Sequence, residues 1–445
     1  MTLDSATLND LEVVSTSIAG GPTLLALVDR TRTRAGREHL RRRLMAPAGS
    51  VEAILDLQRA HQALAAHADA YRNVIHRVDP DAADAYLRSR WQLPSSRRGV
   101  IRYARLWRPA WHQQYLLDVR EARARIIALI DAAGVLRNRF ASTNARLLQD
   151  LGIRLGSQLD TPAARQLLRL GAGESLRALE TFDQFARDGG RAVILALIDC
   201  LGLVEAMWSL AAATAEHGWS YPRPGSRLSA KGLFHPFLGD AAVRNDVELG
   251  EEVRICFVTG PNMAGKSTFL KAVAAATLLA HCGCGVPAAA MEFQPSGTIF
   301  SSVQIVDDVS AGESFYLAEV RRMRALAVAL HDHRAALAVI DEPFRGTNVH
   351  DAAEATLAVI TRLAAVPGAL VFVASHLAEV VPAIIGNPRV RLLHFAADVT
   401  TDQPRFDYRL RPGMSTQRLG MTLLRQEQVL ELLERSSVST TARPA

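Results

Sequence analysis

Residues 260–267 constrain this chain more than any other stretch. They read Gly260-Pro261-Asn262-Met263-Ala264-Gly265-Lys266-Ser267, with the apolar run Ile255-Cys256-Phe257-Val258 before them and helical periodicity after them. Glycines at a tight turn let backbone N–H groups curl around an anion without a Cβ in the way. A helix that starts there aims its positive end at the same point. Lys266 adds a cation that reaches β- and γ-phosphates, and the Ser267 hydroxyl is a ligand for Mg²⁺. The pattern is G-x-x-x-x-G-K-[ST], the phosphate loop of P-loop NTPases, and its strand–loop–helix context predicts an α/β fold.

A second apolar run, Leu337-Ala338-Val339-Ile340, ends in Asp341-Glu342. Downstream of a phosphate loop, such a pair supplies a carboxylate that holds a Mg²⁺ water (Asp341) and one that polarises the attacking water (Glu342). A third run, Leu370 to Ala374, ends at Ser375-His376. His376 reads equally as a γ-phosphate sensor and as a structural histidine at a strand end.

The rest of the chain divides near Tyr221-Pro222-Arg223-Pro224-Gly225. Before it, apolar residues recur at three- and four-residue steps over 24–64, 115–151 and 174–215, which predicts helices. Beyond it, short β-rich runs alternate with helical stretches, the signature of a parallel, helix-flanked sheet. The expected domains are an all-α region over 1–220 and the P-loop region over 221–445.

Composition narrows the function class. Hydrophobic residues make up 49% and charged residues 22% of the 445, enough apolar matter for large cores. Lys and Arg total 51 against 45 acids; Lys occurs only at 231, 266 and 271, so 51 − 3 = 48 are Arg. Cys200, Cys256, Cys282 and Cys284 are too few and too scattered for a disulfide framework or a zinc site. No signal peptide is visible, and charged residues or His interrupt or flank both of the most apolar stretches, so no membrane span is expected. The expectation is a soluble, cytoplasmic protein.

The words around these positions are more specific than the generic motif. The loop runs from Thr259 through Thr268, the acidic segment continues Asp341-Glu-Pro-Phe-Arg-Gly-Thr-Asn348, and the third strand closes Ala374-Ser-His376. Together they resemble the MutS family of DNA mismatch-repair ATPases, whose loop is T-G-P-N-M-x-G-K-S-T. That family's acidic motif is D-E-x-x-R-G-T, and its third strand ends A-T-H. Asp307-Asp308-Val309-Ser310-Ala311-Gly312-Glu313-Ser314 is similar to a family segment that faces the partner subunit's nucleotide. His235-Pro236, Asn245-Asp246, Pro412-Gly413 and Leu419-Gly420 also match family landmarks.

The resemblance implies an ABC-like MutS ATPase domain preceded by a helical core and lever. It also implies ATP and Mg²⁺ as ligands, a homodimer joined through the ATPase domains, and DNA as partner. It gives catalytic roles to Glu342, His376 and, in trans, Ser314. The nucleotide falls to Gly260, Pro261, Asn262, Met263, Ala264, Gly265, Lys266, Ser267 and Thr268, and the metal to Ser267 and Asp341. Ala242 falls where the family offers an aromatic ring to adenine, which leaves Tyr408 as the stacking candidate.

The chain starts at the core domain, and no F-x-E wedge occurs, so mismatch reading is not expected. Arg97, Arg98, Arg102 and Arg105, interleaved with Tyr103 and Trp107, are the candidate DNA contacts; the alternative is a solvated helix face. A Leu-Ser-Gly-Gly signature, which an ABC or SMC ATPase needs, is missing. The remaining alternative is a nucleotide-dependent protein-assembly switch that does not bind DNA.

Overall fold

The computed structural model describes residues 1–16, 18–89, 110–304, 315–332, 335–398, 405–415, 417 and 424–439. They form two compact units. One comprises residues 25–44 and 52–216, the other residues 1–24, 45–51 and those from 217 onward.

Among its described residues the first unit's secondary-structure elements are all helices, and several of them begin where the sequence supplies caps. Asp79, Thr161 and Ser175 each accept a bond from the backbone N–H three residues on, at 3.0–3.1 Å. Pro80 and Pro162 each open a helix in its first turn, where the missing N–H costs nothing. The long helices Ala110–Ala141 and Arg191–Glu216 build the core, with Leu136, Phe140, Phe182 and Leu197 fully buried.

Two buried acids are satisfied within that core. Asp183 accepts from Tyr86, from Tyr115 at 2.9 Å and from Arg187 at 2.6 Å. Glu205 accepts from the Thr33 hydroxyl and from the Arg32 N–H at 2.7 Å. Glu205 sits on the helix Arg191–Glu216, whose length and apolarity would suit a membrane; 78% of its most apolar window is instead buried inside the protein.

The second unit carries the strands β1 (Arg223–Pro224), β2 (Leu228–Leu233), β3 (Asn245–Leu249), β4 (Ile255–Thr259), β5 (Ala290–Phe293) and β6 (Thr298–Ser302). It continues with β7 (Ala336–Asp341), β8 (Ala369–Ala374), β9 (Val390–His394), β10 (Ala397–Asp398), β11 (Arg405–Phe406) and β12 (Arg411–Pro412). The main sheet has the order β12-β9-β4-β8-β7-β6 and is parallel except for the edge strand β12. A smaller sheet runs β1-β5-β2-β3, and β10 pairs with β11.

Every residue of β4, β6 and β8 is buried, as a parallel sheet covered on both faces requires. Phe257, Val371 and Ile340 pack on one face with Ile360 and Leu363 of the helix Val349–Ala365. On the other face Phe269, from the helix Lys266–His281, meets Phe372 and Phe395 edge-on.

A single boundary at 220 does not describe this division, because residues 1–24 and 45–51 pack with the sheet. Thr2 bridges Thr298, and the short helix Ser5–Asp10 lies against β6. The buried Asp10 carboxylate takes the Ser301 hydroxyl and Val303 N–H, both at 2.8 Å, and the Gln304 N–H at 3.2 Å. Ala48 is held by His281, whose Nδ1 lies 2.7 Å from the Ala48 carbonyl while Nε2 accepts the Ser296 N–H at 3.1 Å.

Candidate active site at the carboxyl edge of the sheet

Three adjacent parallel strands bring the sequence-defined residues to one edge. β8 lies between β4 and β7, with Val258 opposite Ala374 and Asp341 opposite Ala374. The loop after Thr259, the acids at 341–342 and the residues after Ala374 therefore leave the sheet side by side. Ligands of open α/β sheets bind just beyond these strand ends.

The loop 260–265 turns through left-handed backbone at Gly260 (φ 143°), Met263 (φ 69°) and Gly265 (φ 103°). Gly260 is required: a Cβ there would lie 2.7 Å from the Phe395 carbonyl oxygen. Gly265 forms the N-cap of the helix Lys266–His281 without any side-chain cap, so the first-turn N–H groups face the cleft. The buried Lys266 ammonium donates to the Gly260 carbonyl at 2.9 Å and the Pro261 carbonyl at 3.3 Å. It also stands 3.5 Å from Glu342 Oε1, close enough for charge attraction, yet that oxygen is buried without a directed hydrogen bond.

Glu342 is held by His376, which donates to Oε2 from Nδ1 at 2.7 Å and from its backbone N–H at 3.2 Å. Burial pushes the Glu342 carboxyl up, but the His376 bonds and charge together with Lys266 outweigh it, leaving it below the ordinary glutamate range. The same bond raises the His376 imidazole above its ordinary value against a smaller effect of burial. Asp341 is shifted the other way: burial raises it and Glu342 adds to this, against the Ser267 hydroxyl and Lys266. Its Oδ1 is buried without a partner. Two neighbouring acids thus differ in proton affinity because only one has an imidazole partner.

A cleft of about 710 Å³ extends from the loop. Its apolar side includes Leu233, Phe234, Leu238, Val243 and Tyr408. Tyr408 adopts φ 52°, is 45% exposed, and lies against Gly265, where a Cβ would come within 3.3 Å of its ring. Asn245 fixes that segment by donating to the Tyr408 carbonyl at 3.0 Å and accepting the Leu410 N–H at 2.7 Å. His235 lines the cleft as a neutral imidazole, pushed down to about 4 by burial and then by the Lys271 charge.

Residues 256–438 match the family model for MutS domain V. A protein of Halobacterium salinarum named DNA mismatch repair protein MutS 2 is 32% identical over 240 residues, 53% of this chain and 28% of its own length. The DNA mismatch repair protein MutS of Roseiflexus castenholzii is 33% identical over 247 residues, 51% of this chain and 22% of its own length. That of Sorangium cellulosum is 31% identical over 360 residues, 77% of this chain and 36% of its own length. The chain belongs to the MutS family. It spans about a third or less of the length of these MutS relatives. MutS domain V is the family's ATPase domain, of P-loop fold, and the mixed α/β architecture over 256–438 agrees with it.

Within this MutS domain, residues 260–268, Asp341, Glu342, His376 and Tyr408 converge on one edge. Ser314 with 307–313, and the arginines at 97, 98, 102 and 105, lie outside the described residues. The donor set suits a hard divalent cation: Ser267 and Asp341 are neighbours, and Asp341 Oδ1 is buried without a partner. Sequence reading missed Glu319 and Phe395, and used Asn245, His235 and, within the D-E-x-x-R-G-T motif, Arg345 only as landmarks. The packing of Phe395 on Gly260 is long-range, so no local pattern signals it.

Proposed function

We propose that this chain binds ATP with Mg²⁺ in the cleft and hydrolyses it, two copies closing through their ATPase halves so that each completes the other's site. What supports this reading is the meeting of Lys266, the Ser267–Asp341 pair and the Glu342–His376 pair at one sheet edge. The N–H groups of the loop and the helix start at Lys266 receive phosphate oxygens, and Lys266 neutralises them. Ser267 and Asp341 hold Mg²⁺, which when bound screens phosphate charge as a Lewis acid. Glu342 takes the proton of the attacking water, and His376 orients Glu342 through Nδ1 while its ring senses the terminal phosphate. Tyr408 stacks on the base, and Ser314 acts on the partner's nucleotide.

The helical region then serves as core and lever, converting nucleotide-driven closure into a grip on DNA. Arg97, Arg98, Arg102 and Arg105 are its proposed phosphate contacts. The relatives named DNA mismatch repair proteins support a role in DNA repair. The test is phosphate release in Mg²⁺ with no DNA and with homoduplex, mismatched, branched or single-stranded DNA. Mg²⁺-dependent turnover altered by at least one DNA supports the reading. Turnover with no response and no DNA retention favours a nucleotide-dependent assembly switch instead.

A further inference from the structure

Glu319 lies on the helix Phe315–Asp332 and is 2% exposed. Its carboxylate makes no ion pair among the described residues. Oε1 accepts the Arg345 N–H and Oε2 the Gly346 N–H, each at 3.0 Å. A buried carboxylate spent on two backbone N–H groups is costly unless something must be held in place.

What it holds is the turn that follows the acidic pair. Glu342 has φ 46° and Phe344 φ 62°, left-handed backbone at two residues with side chains, which persists only where surroundings enforce it. The turn lies flush on the helix start: a Cβ on Gly346 would lie 2.8 Å from both Phe315 Cδ1 and the Tyr316 nitrogen, and 3.1 Å from Glu319 Oε2. The Arg345 guanidinium stacks 4.9 Å from the Phe315 ring centre, and Phe344 meets Tyr316 at 6.1 Å between centres. The same helix is fastened to the end of β6 by Arg322, which binds the Ser301 carbonyl and covers the Phe300 ring at 3.9 Å. The helix is thus a fixed post, and Glu319 is its hook on the turn.

We propose that Glu319 is a positioning residue, whose carboxylate locks the turn 341–346 so that Glu342 is held against His376 and Lys266. Its catalytic meaning rests on the ATPase reading above; its structural meaning does not. Three charged groups act on Glu342: His376 after β8, Lys266 at the helix start and Asp341 on its own strand; Arg345, in the same turn, acts on Asp341. Only His376 makes a directed bond to it, so the His376 ring reports the position of Glu342.

The experiment uses the full chain without nucleotide. The His376 C2–H resonance, assigned by its loss in His376→Asn, is titrated by NMR in wild type, Glu319→Gln and Gly346→Ala. Glu319→Gln puts an NH₂ against one backbone N–H; Gly346→Ala keeps the carboxylate but wedges the turn away. Wild type should titrate above the ordinary histidine value, because its bond to Glu342 favours the imidazolium, and both variants should fall back toward that value. In parallel, kcat should drop by about 10²-fold, the scale for displacing a reacting group, with KM for ATP little changed.

A wild-type His376 midpoint in a folded variant overturns the proposal, and if Glu319→Gln does not fold, Gly346→Ala decides it. If wild type itself hydrolyses no ATP, the ATPase reading fails, while the His376 midpoint still tests the role of Glu319.

Discussion

Replacing Glu342 by Gln separates binding from chemistry. The side chain keeps its shape and one acceptor for the His376 bonds, now at 2.7 and 3.2 Å, but loses the basic carboxylate. Removing a general base costs about 10²–10⁴ in rate, or about 3–5 kcal/mol in barrier. Nucleotide affinity should hold or tighten, because Lys266 stays and a negative charge 3.5 Å from it is gone. The pH profile should change as well. Glu342 lies below the ordinary glutamate range, so the wild-type rate stays level from neutral pH until the pH falls through that lowered value; in the variant this acid limb vanishes. The assay is single-turnover cleavage of γ-labelled ATP beside equilibrium binding of ATP. Wild-type cleavage by a folded Glu342→Gln protein would refute the assignment of the base.

Three further outcomes are expected. Turnover per subunit should rise with protein concentration, and mixing inactive Lys266→Ala with inactive Ser314→Ala should restore activity through the one site that keeps both intact halves; a constant rate from a proven monomer rules this out. Replacing Arg97, Arg98, Arg102 and Arg105 together should weaken duplex binding and flatten the log K against log salt slope by up to about 3–4, at about 0.9 per lost phosphate contact; an unchanged slope leaves these arginines a solvated face. His281 is fully buried and lowered to about 4, chiefly by burial, from 6.5. Above 6.5 its contribution to stability is constant; as pH falls from there to about 4 the unfolded chain gains a proton the folded chain refuses, costing about 3 kcal/mol. Urea titrations of wild type and His281→Gln at both ends of that window should show a loss larger in wild type by about 3 kcal/mol, the buried His235 contributing equally to both.

Much of the site was legible because its chemistry is contiguous in sequence. Gly260 to Ser267 carries its own geometry, and each of the other two segments ends an apolar run, so the parallel sheet brings them together once its order is known. The helical half was legible through period over 24–64, 115–151 and 174–215, but the helix Pro162–Gly171 falls between those stretches and was not expected. Period is local, however, and cannot say which core a short helix joins. Ser5–Asp10 joins the sheet because Asp10 and Thr7 satisfy backbone N–H groups at the end of β6, a pairing nearly three hundred residues apart. Glu319 was invisible for the same reason: a glutamate in an amphipathic helix reads as surface until the turn it binds is known. The left-handed Glu342 and Phe344 left no trace, since no glycine marks them.

The most direct test of the central claim is phosphate release from ATP by the purified chain, with and without Mg²⁺, in wild type and Lys266→Ala. Lys266 supplies the only lysine charge at the loop and contacts Gly260, Pro261 and Glu342. Turnover that requires Mg²⁺ in wild type and disappears in a folded Lys266→Ala protein is the expected result. Equal turnover in the two proteins, or none in a folded wild type at any protein concentration, would contradict it.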